Sequence, residues 1–67
     1  MASVLAEQYQ FRPMHEDDLP NVLRNERKGY SHPWTEGIFV DCLKAGYECW
    51  VLQRGERLIG HSILIQL

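Results

Sequence analysis

Alternating apolar and polar residues near the start of the chain predict a short strand, and a helical pattern follows it. The strand covers 9–12, and Pro13 ends it because proline has no backbone N–H to donate to a sheet. A helix is expected to begin near Asp18, which suits a cap position, and to run to about Lys28. We expect Gly29 to stop this helix in the left-handed conformation. The apolar stripe of the helix holds Leu19, Val22 and Leu23, with Glu26 at the next helical position.

A second helix is predicted after the segment His32-Pro33-Trp34. This segment cannot be regular helix, because proline pushes the residue before it into an extended conformation. Thr35 is expected to cap the second helix and Gly46 to stop it. The apolar stripe of this helix holds Ile38, Phe39, Cys42 and Leu43.

Beyond Gly46 the apolar period changes from helical to two, which predicts an antiparallel hairpin. Its first strand covers 47–52 and its second strand 58–67, with a turn around Gly55. The predicted order is therefore strand, helix, helix, strand, strand. That order indicates an α+β fold in which the hairpin packs on the two helices.

The final strand is nearly continuously apolar, with Ile63, Leu64, Ile65 and Leu67. A strand with apolar residues on both faces needs cover on both faces and a neighbour along its edge. Two helices can cover only one of these faces. We therefore expect that the chain is truncated, or that self-association or a complementing chain completes it.

Composition and charge narrow the class of protein. The chain has 67 residues, 45% of them hydrophobic and 24% charged, as in a small soluble globular domain. Seven Lys and Arg against nine Asp and Glu, with no basic stripe, argue against a nucleic-acid partner. The basic trio Arg24, Arg27 and Lys28 is interpreted as a solvated helix face. Since no apolar run spans a membrane and no signal peptide is visible, we expect no membrane partner and a cytoplasmic location.

Few residues suggest catalysis by themselves. His15, His32 and His61 lie on three different elements without metal-ligand spacing, so no metal site is expected. Cys42 and Cys49 form no CxxC pair, and both fall on apolar stripes, which favours a core role over a nucleophilic one.

The loop between the two predicted helices is the strongest candidate for a binding site. Proline lowers the entropy cost of holding a loop, and an indole is a large rigid wall, so Trp34 suits a pocket lining. Alternatively, Trp34 is a hydrophobic staple that packs the start of the second helix onto the core. Composition and spacing leave both interpretations open.

Several short motifs together carry a resemblance to a known superfamily. They are Phe11-Arg12-Pro13-Met14, Asp18-Leu19-Pro20, His32-Pro33-Trp34-Thr35-Glu36 with Phe39, Cys49-Trp50-Val51-Leu52 and Leu58-Ile59-Gly60-His61. Residues 8–67 resemble the amino-terminal portion of a GNAT-superfamily N-acetyltransferase, with 1–7 as a lead-in. The closest resemblance is to the bacterial branch that acetylates the amino-terminal alanine of a ribosomal protein. The superfamily's fold, an α/β fold in its own terms, opens with the same order of elements.

The resemblance implies an enzyme that transfers acetyl from acetyl-CoA directly to the neutral N-terminal amine of a protein or peptide. The family's acetyl-CoA loop and its catalytic Glu and Tyr lie in elements that follow the portion resembled here. Tyr30, Tyr47 and Glu36 do not match those positions. No catalytic or cofactor-binding residue is therefore assigned, and this chain alone is expected to be inactive and not to bind acetyl-CoA.

The resemblance does imply substrate-binding residues in the helix-to-helix loop. These are Pro33, Trp34, Thr35 and Glu36, which would wall the pocket for the first residues of the acceptor. A Trp wall favours a small first side chain such as Ala or Ser. Glu36 would attract an amino group or serve as a helix-start charge. The alternative function is a non-catalytic truncated module that self-associates, or binds a partner, through its open carboxyl-terminal strand edge.

Overall fold

The computed structural model describes residues 8–65, which form a three-stranded antiparallel sheet with two helices packed on one face. The α+β class is thereby confirmed. The elements are β1 (Tyr9–Pro13), α1 (Leu19–Gly29), α2 (Glu36–Lys44), β2 (Glu48–Arg54) and β3 (Arg57–Leu64), with a 3-10 turn at Glu16–Asp18 before α1. The predicted lead-in at 1–7 and the end of the apolar terminus, at 66–67, lie outside the described residues.

A charged pair joins the end of β1 to the start of α1. Arg12 donates to both carboxylate oxygens of Asp18, at 2.9 and 2.7 Å, and the His15 backbone N–H donates to the same carboxylate at 2.8 Å. The hydrogen bonds from Arg12 hold the pKa of Asp18 below its usual range, against the effect of burial. Asp18 therefore occupies the position before α1, but its side chain binds Arg12 and does not cap the helix.

The end of α1 corrects one expectation. Gly29 is the last residue of the helix and does not adopt a positive φ. Instead Tyr30 leaves the helix in an extended conformation, and its N–H donates to the Glu26 carbonyl at 3.2 Å. Because this bond completes the last turn, a left-handed residue is not required there.

The boundaries of α2 follow the expected residues, with one difference in chemistry. Thr35 holds the cap position, where its carbonyl accepts from the N–H groups of Ile38 and Phe39, but its side chain makes no capping bond. Gly46 has a φ of 77° and follows the helix, as predicted for a left-handed stop. Gly55 has a φ of 58° in the hairpin turn, where a side chain would be strained.

The register of the sheet decides which residues share a face. β2 is the central strand, and it pairs Phe11 with Leu52 and Val51 with His61. Alternation then directs one set of residues toward the helices and the other set away from them. The inner face carries Cys49, Val51, His61 and Ile63, and the outer face carries Tyr9, Phe11, Trp50, Leu52 and Leu64.

The core lies between the inner face and the two helices. Its buried apolar residues are Met14, Leu19, Val22, Phe39, Cys42, Cys49 and Val51. Both cysteines are free thiols in this core, as predicted. No helix covers the outer face within the described residues, and Phe11 and Leu64 there are 62% and 67% exposed.

Candidate functional site

A pocket of about 330 Å³ opens beside the helix-to-helix loop, and we call it the loop pocket. Both helices, the loop and β3 contribute to its walls, because β3 lies beside α1 and the loop joins the two helices. The residues that define its shape are Glu26, Tyr30, Trp34, Phe39, His61 and Ile63. The pocket therefore combines residues that are far apart in the sequence.

Of the four residues predicted to contact substrate, Trp34 lines the loop pocket. Pro33, Thr35 and Glu36 are exposed, and they lie next to the pocket in sequence without lining it. Glu36 is the first residue of α2, where a carboxylate favours the positive end of the helix dipole. The substrate contacts of these three residues stay predictions.

The two interpretations of Trp34 are compatible in the structure. Its ring centroid lies 5.4 Å from that of the buried Phe39, with the planes tilted by 58°, so it packs on the core at the start of α2. Trp34 also remains 38% exposed and forms part of the pocket wall. One side chain therefore fastens the helix and shapes the cavity.

Glu26 is the buried polar residue at the base of this arrangement. It is only 6% exposed, although it lies on the apolar stripe of α1. One carboxylate oxygen, Oε2, accepts the backbone N–H of Trp34 at 3.0 Å, and Oε1 accepts from Nε2 of His61 at 2.7 Å. Such bonds are required, since an unpaired buried carboxylate would be very costly.

Asn25 extends the arrangement by one more bond. Its Nδ2 lies 2.8 Å from Nδ1 of His61. Because an amide nitrogen can only donate, Nδ1 accepts, and the hydrogen of the neutral ring is on Nε2, facing Glu26. We call these four residues, Asn25, Glu26, Trp34 and His61, the Glu26 network. Every buried side-chain nitrogen and oxygen between 8 and 65 has a partner.

Sequence reasoning did not find Glu26 or His61 as site residues. Glu26 was recognised as the polar member of an apolar stripe, and that position is itself the available signal. A carboxylate among core positions needs a buried partner, so it identifies a polar site inside a helix face. The partner His61 is 35 residues away, and the sequence places it only on a different element from His15 and His32.

The geometry of the loop pocket suits binding. Ser62 contributes to the pocket lining, but it pairs with Trp50, so strand alternation directs its hydroxyl toward the outer face. Burial raises the pKa of the Cys49 thiol, and the nearby Cys42 and Glu48 add to this effect. A raised pKa opposes the thiolate form that nucleophilic chemistry requires. No group of His, Cys, Asp and Glu suited to a metal ion occurs in 8–65.

A second, polar depression of about 230 Å³ lies between α1 and the start of β3. Arg24 and Lys28 meet Arg57 of β3 there, together with Glu56. Arg24 is already bonded to the Asn21 side-chain oxygen at 2.8 Å. The mixed charges and the open surface agree with the solvated helix face inferred for the basic trio.

Comparison with known proteins found no match to a family model, to a curated protein or to a solved structure. In the part of the chain that the structure describes, no helix has the length and apolar character needed to cross a membrane.

Proposed function

We propose that the chain is the amino-terminal portion of an acetyl-CoA-dependent N-acetyltransferase, of the type that modifies the amino-terminal alanine of a ribosomal protein in the cytoplasm. The observation that carries the proposal is the position of Trp34, on the wall of a pocket next to the loop that the resemblance assigns to the acceptor. The α+β architecture with two helices on one face of the sheet agrees with it.

The loop pocket would hold the first residue of the acceptor peptide. Its aromatic walls, Trp34 and Phe39, pack against each other and limit the space for a side chain. A rigid wall of this kind discriminates by excluding bulk, so Ala or Ser is preferred to a large first residue. Pro33, Thr35 and Glu36 would contact the acceptor beyond the pocket itself.

The rest of the domain would supply acetyl-CoA binding and the reacting groups. By the resemblance, it would also add a strand beside the free edge of β3. The outer face of the sheet gives this complementing portion an apolar surface to cover, because Phe11 and Leu64 are mostly exposed there. The chain alone is then expected neither to bind acetyl-CoA nor to transfer acetyl.

The test is reconstitution of acetyl transfer. The chain is co-expressed with the cofactor-binding portion of a ribosomal-protein-alanine acetyltransferase, and acetylation of peptides that begin with Ala or Leu is followed by mass spectrometry. We expect transfer by the mixture, with preference for Ala, and none by either part alone. Trp34→Ala should reduce the preference, whereas Tyr47→Ala, an aromatic residue of similar exposure outside the pocket, should not.

Two results would overturn the proposal. One is a stable complex of the two portions that transfers no acetyl to any peptide. The other is measurable binding of acetyl-CoA by the 67-residue chain alone, which would mean that the cofactor site is not where the resemblance predicts it.

The second candidate function is a non-catalytic module that self-associates or binds a partner through the edge of β3. In 8–65, β3 pairs only with β2, and Leu64 and Ile65 are exposed beside the free edge. Such an edge is a template for another strand. Light scattering over a range of concentrations distinguishes the cases, since a monomer at all concentrations excludes self-association. Leu64→Lys should then weaken any association that depends on this edge.

A further inference from the structure

Among the residues that the structure describes, a single hydrogen bond joins 31–34 of the helix-to-helix loop to the rest of the fold. Of the hydrogen bonds made by 31–34, the bond from the Trp34 N–H to Oε2 of Glu26 is the one that reaches a residue outside the loop. The other bond of this segment is local, between the side chains of Ser31 and His32. The segment is otherwise exposed, so its position depends strongly on this bond and on the contact of Trp34 with Phe39.

We propose that Glu26 is a positioning residue, which fixes Trp34 through its backbone and thereby sets the width of the loop pocket. The consequence of this positioning for the choice of acceptor rests on the proposed acetyltransferase function, but the positioning itself does not. Glu26 suits this role because His61 fixes its other carboxylate oxygen. The carboxylate therefore joins α1, the loop and β3 at one point.

Burial makes the bond from the Trp34 N–H to Glu26, which we call the tether, stronger than a surface bond of the same length. The side chains of Glu26 and His61 are each 8% exposed, so water competes poorly for their bonds. The bond from Trp34 is charge-assisted, since a carboxylate accepts it. Loss of the acceptor would leave the Trp34 N–H unpaired, and the loop would gain freedom by moving away from α1.

The direction of each bond predicts which substitutions keep the tether. In Glu26→Gln, the side-chain oxygen can still accept from Trp34, and its NH₂ can face His61. His61 must then accept through Nε2 and carry its hydrogen on Nδ1, and Asn25 must present its oxygen. Glu26→Leu offers no acceptor, but it fills a similar volume in an apolar site. It also leaves Nε2 of His61 without its partner, so Glu26→Leu is expected to lose some stability in addition to the Trp34 bond.

Amide hydrogen exchange on the 67-residue chain, followed residue by residue by NMR, tests the proposal. We expect the Trp34 amide to be protected in the wild type and in Glu26→Gln, and to exchange about 10- to 100-fold faster in Glu26→Leu. The Val51 amide, in the central strand, reports whether the core is intact. Glu36→Ala is the matched control, because it removes an exposed carboxylate close to the same loop.

The outcomes separate positioning from simple core filling. Faster exchange at Trp34 with unchanged protection at Val51 supports the proposal. Equal protection of Trp34 in Glu26→Leu and the wild type would overturn it, because the bond would then be unnecessary. If Glu26→Leu lost its core protection, the comparison would be made with Asn25→Ala, which removes the partner of His61 and should speed Trp34 exchange by a smaller factor.

The reconstituted enzyme provides a separate readout of acceptor choice. Glu26→Leu should lower the preference for Ala over Leu peptides, measured as the ratio of kcat/KM values, and Glu26→Gln should restore it. An unchanged ratio in an active Glu26→Leu enzyme would overturn the link between the tether and pocket width. Failure of all acetyl transfer would count against the proposed function, whereas the exchange experiment would still decide whether Glu26 positions Trp34.

Discussion

Two aromatic pairs of the same spacing lie on opposite sides of the sheet, and only the pair on the inner side includes a buried ring. On the inner side, Trp34 packs on Phe39 with ring centroids 5.4 Å apart, and on the outer face Phe11 stacks on Trp50 at the same distance. Phe39 is buried, whereas Phe11 is 62% exposed. Contact between two rings therefore does not bury them. Only the helices, by covering one face, convert the contact into a core.

The polar groups of the two faces differ in the same way. On the inner side, the carboxylate of Glu26 is buried and has a bond at each oxygen. On the outer side, Glu48 accepts from the Trp50 indole at 3.1 Å, and Arg54 lies over the Tyr9 ring, both in exposed positions. Water can replace the outer bonds at little cost, but it cannot replace the inner ones. Predictions should therefore differ sharply between the faces.

The largest expected difference is between the same substitution at two phenylalanines. Phe39→Ala removes a buried ring and should lower the free energy of unfolding by about 3–5 kcal/mol, which for a domain of this size approaches its whole stability. Phe11→Ala should cost less than about 1 kcal/mol, because the ring is mostly in water already. Urea unfolding followed by circular dichroism gives both values. Equal effects would mean that the outer face is covered in solution.

The next difference concerns thiol reactivity. Cys42 and Cys49 are buried, and burial raises the pKa of Cys49. At pH 8 a thiol reagent should therefore modify them about 100-fold more slowly than a cysteine introduced on the outer face by Leu64→Cys. The modification rates of the native cysteines and the introduced cysteine should become equal in denaturant. Fast modification of the native cysteines would show that the core opens far more often than this packing implies.

A smaller effect is expected at low pH from the Arg12–Asp18 pair, which joins the end of β1 to the start of α1. The pKa of Asp18 is lowered in the fold by its bonds from Arg12, and the same bonds raise the pKa of Arg12. The stabilisation from Asp18 is therefore fully present above the unfolded pKa of about 3.9, and it is lost as the pH falls through the lower, folded pKa.

Asp18→Asn tests this pH dependence. It should cost about 1–2 kcal/mol at pH 7, as for loss of a hydrogen bond to a charged group, and should remove part of the fall in stability below pH 4. Asp17→Asn is the matched control, because Asp17 is an exposed neighbouring aspartate without the bonds from Arg12. An Asp18→Asn profile parallel to that of the wild type would show that the pair contributes nothing to acid sensitivity.

The smallest effect on stability is expected from polar substitutions on the outer face. Phe11→Ser combined with Leu64→Ser should change the free energy of unfolding by less than about 1 kcal/mol. The same variant should lower any concentration-dependent association, since it removes exposed apolar surface. Sedimentation velocity and urea unfolding measure the two quantities on one sample. A large loss of stability in a monomeric variant would contradict the open outer face.

Local chemistry accounts for what the sequence determined about this protein. Repeats of 3.6 and 2 residues follow from backbone geometry, so the strand, the two helices and the hairpin were predictable. The helix stop at Gly46 and the turn around Gly55 were predictable because only glycine adopts a positive φ without strain. The left-handed conformation predicted for Gly29 was wrong, because the extended Tyr30 ends α1 and makes a left-handed residue unnecessary.

Only the tertiary structure decided what the helix-to-helix loop is attached to. Periodicity showed Glu26 on an apolar stripe and Trp34 in a constrained loop, but it did not reveal their bond or the role of His61. The bond between Glu26 and His61 depends on the packing of β3 beside α1, which brings together residues 35 positions apart. Periodicity reports local backbone geometry, whereas the partner of a buried charge is chosen by distant elements that pack around it.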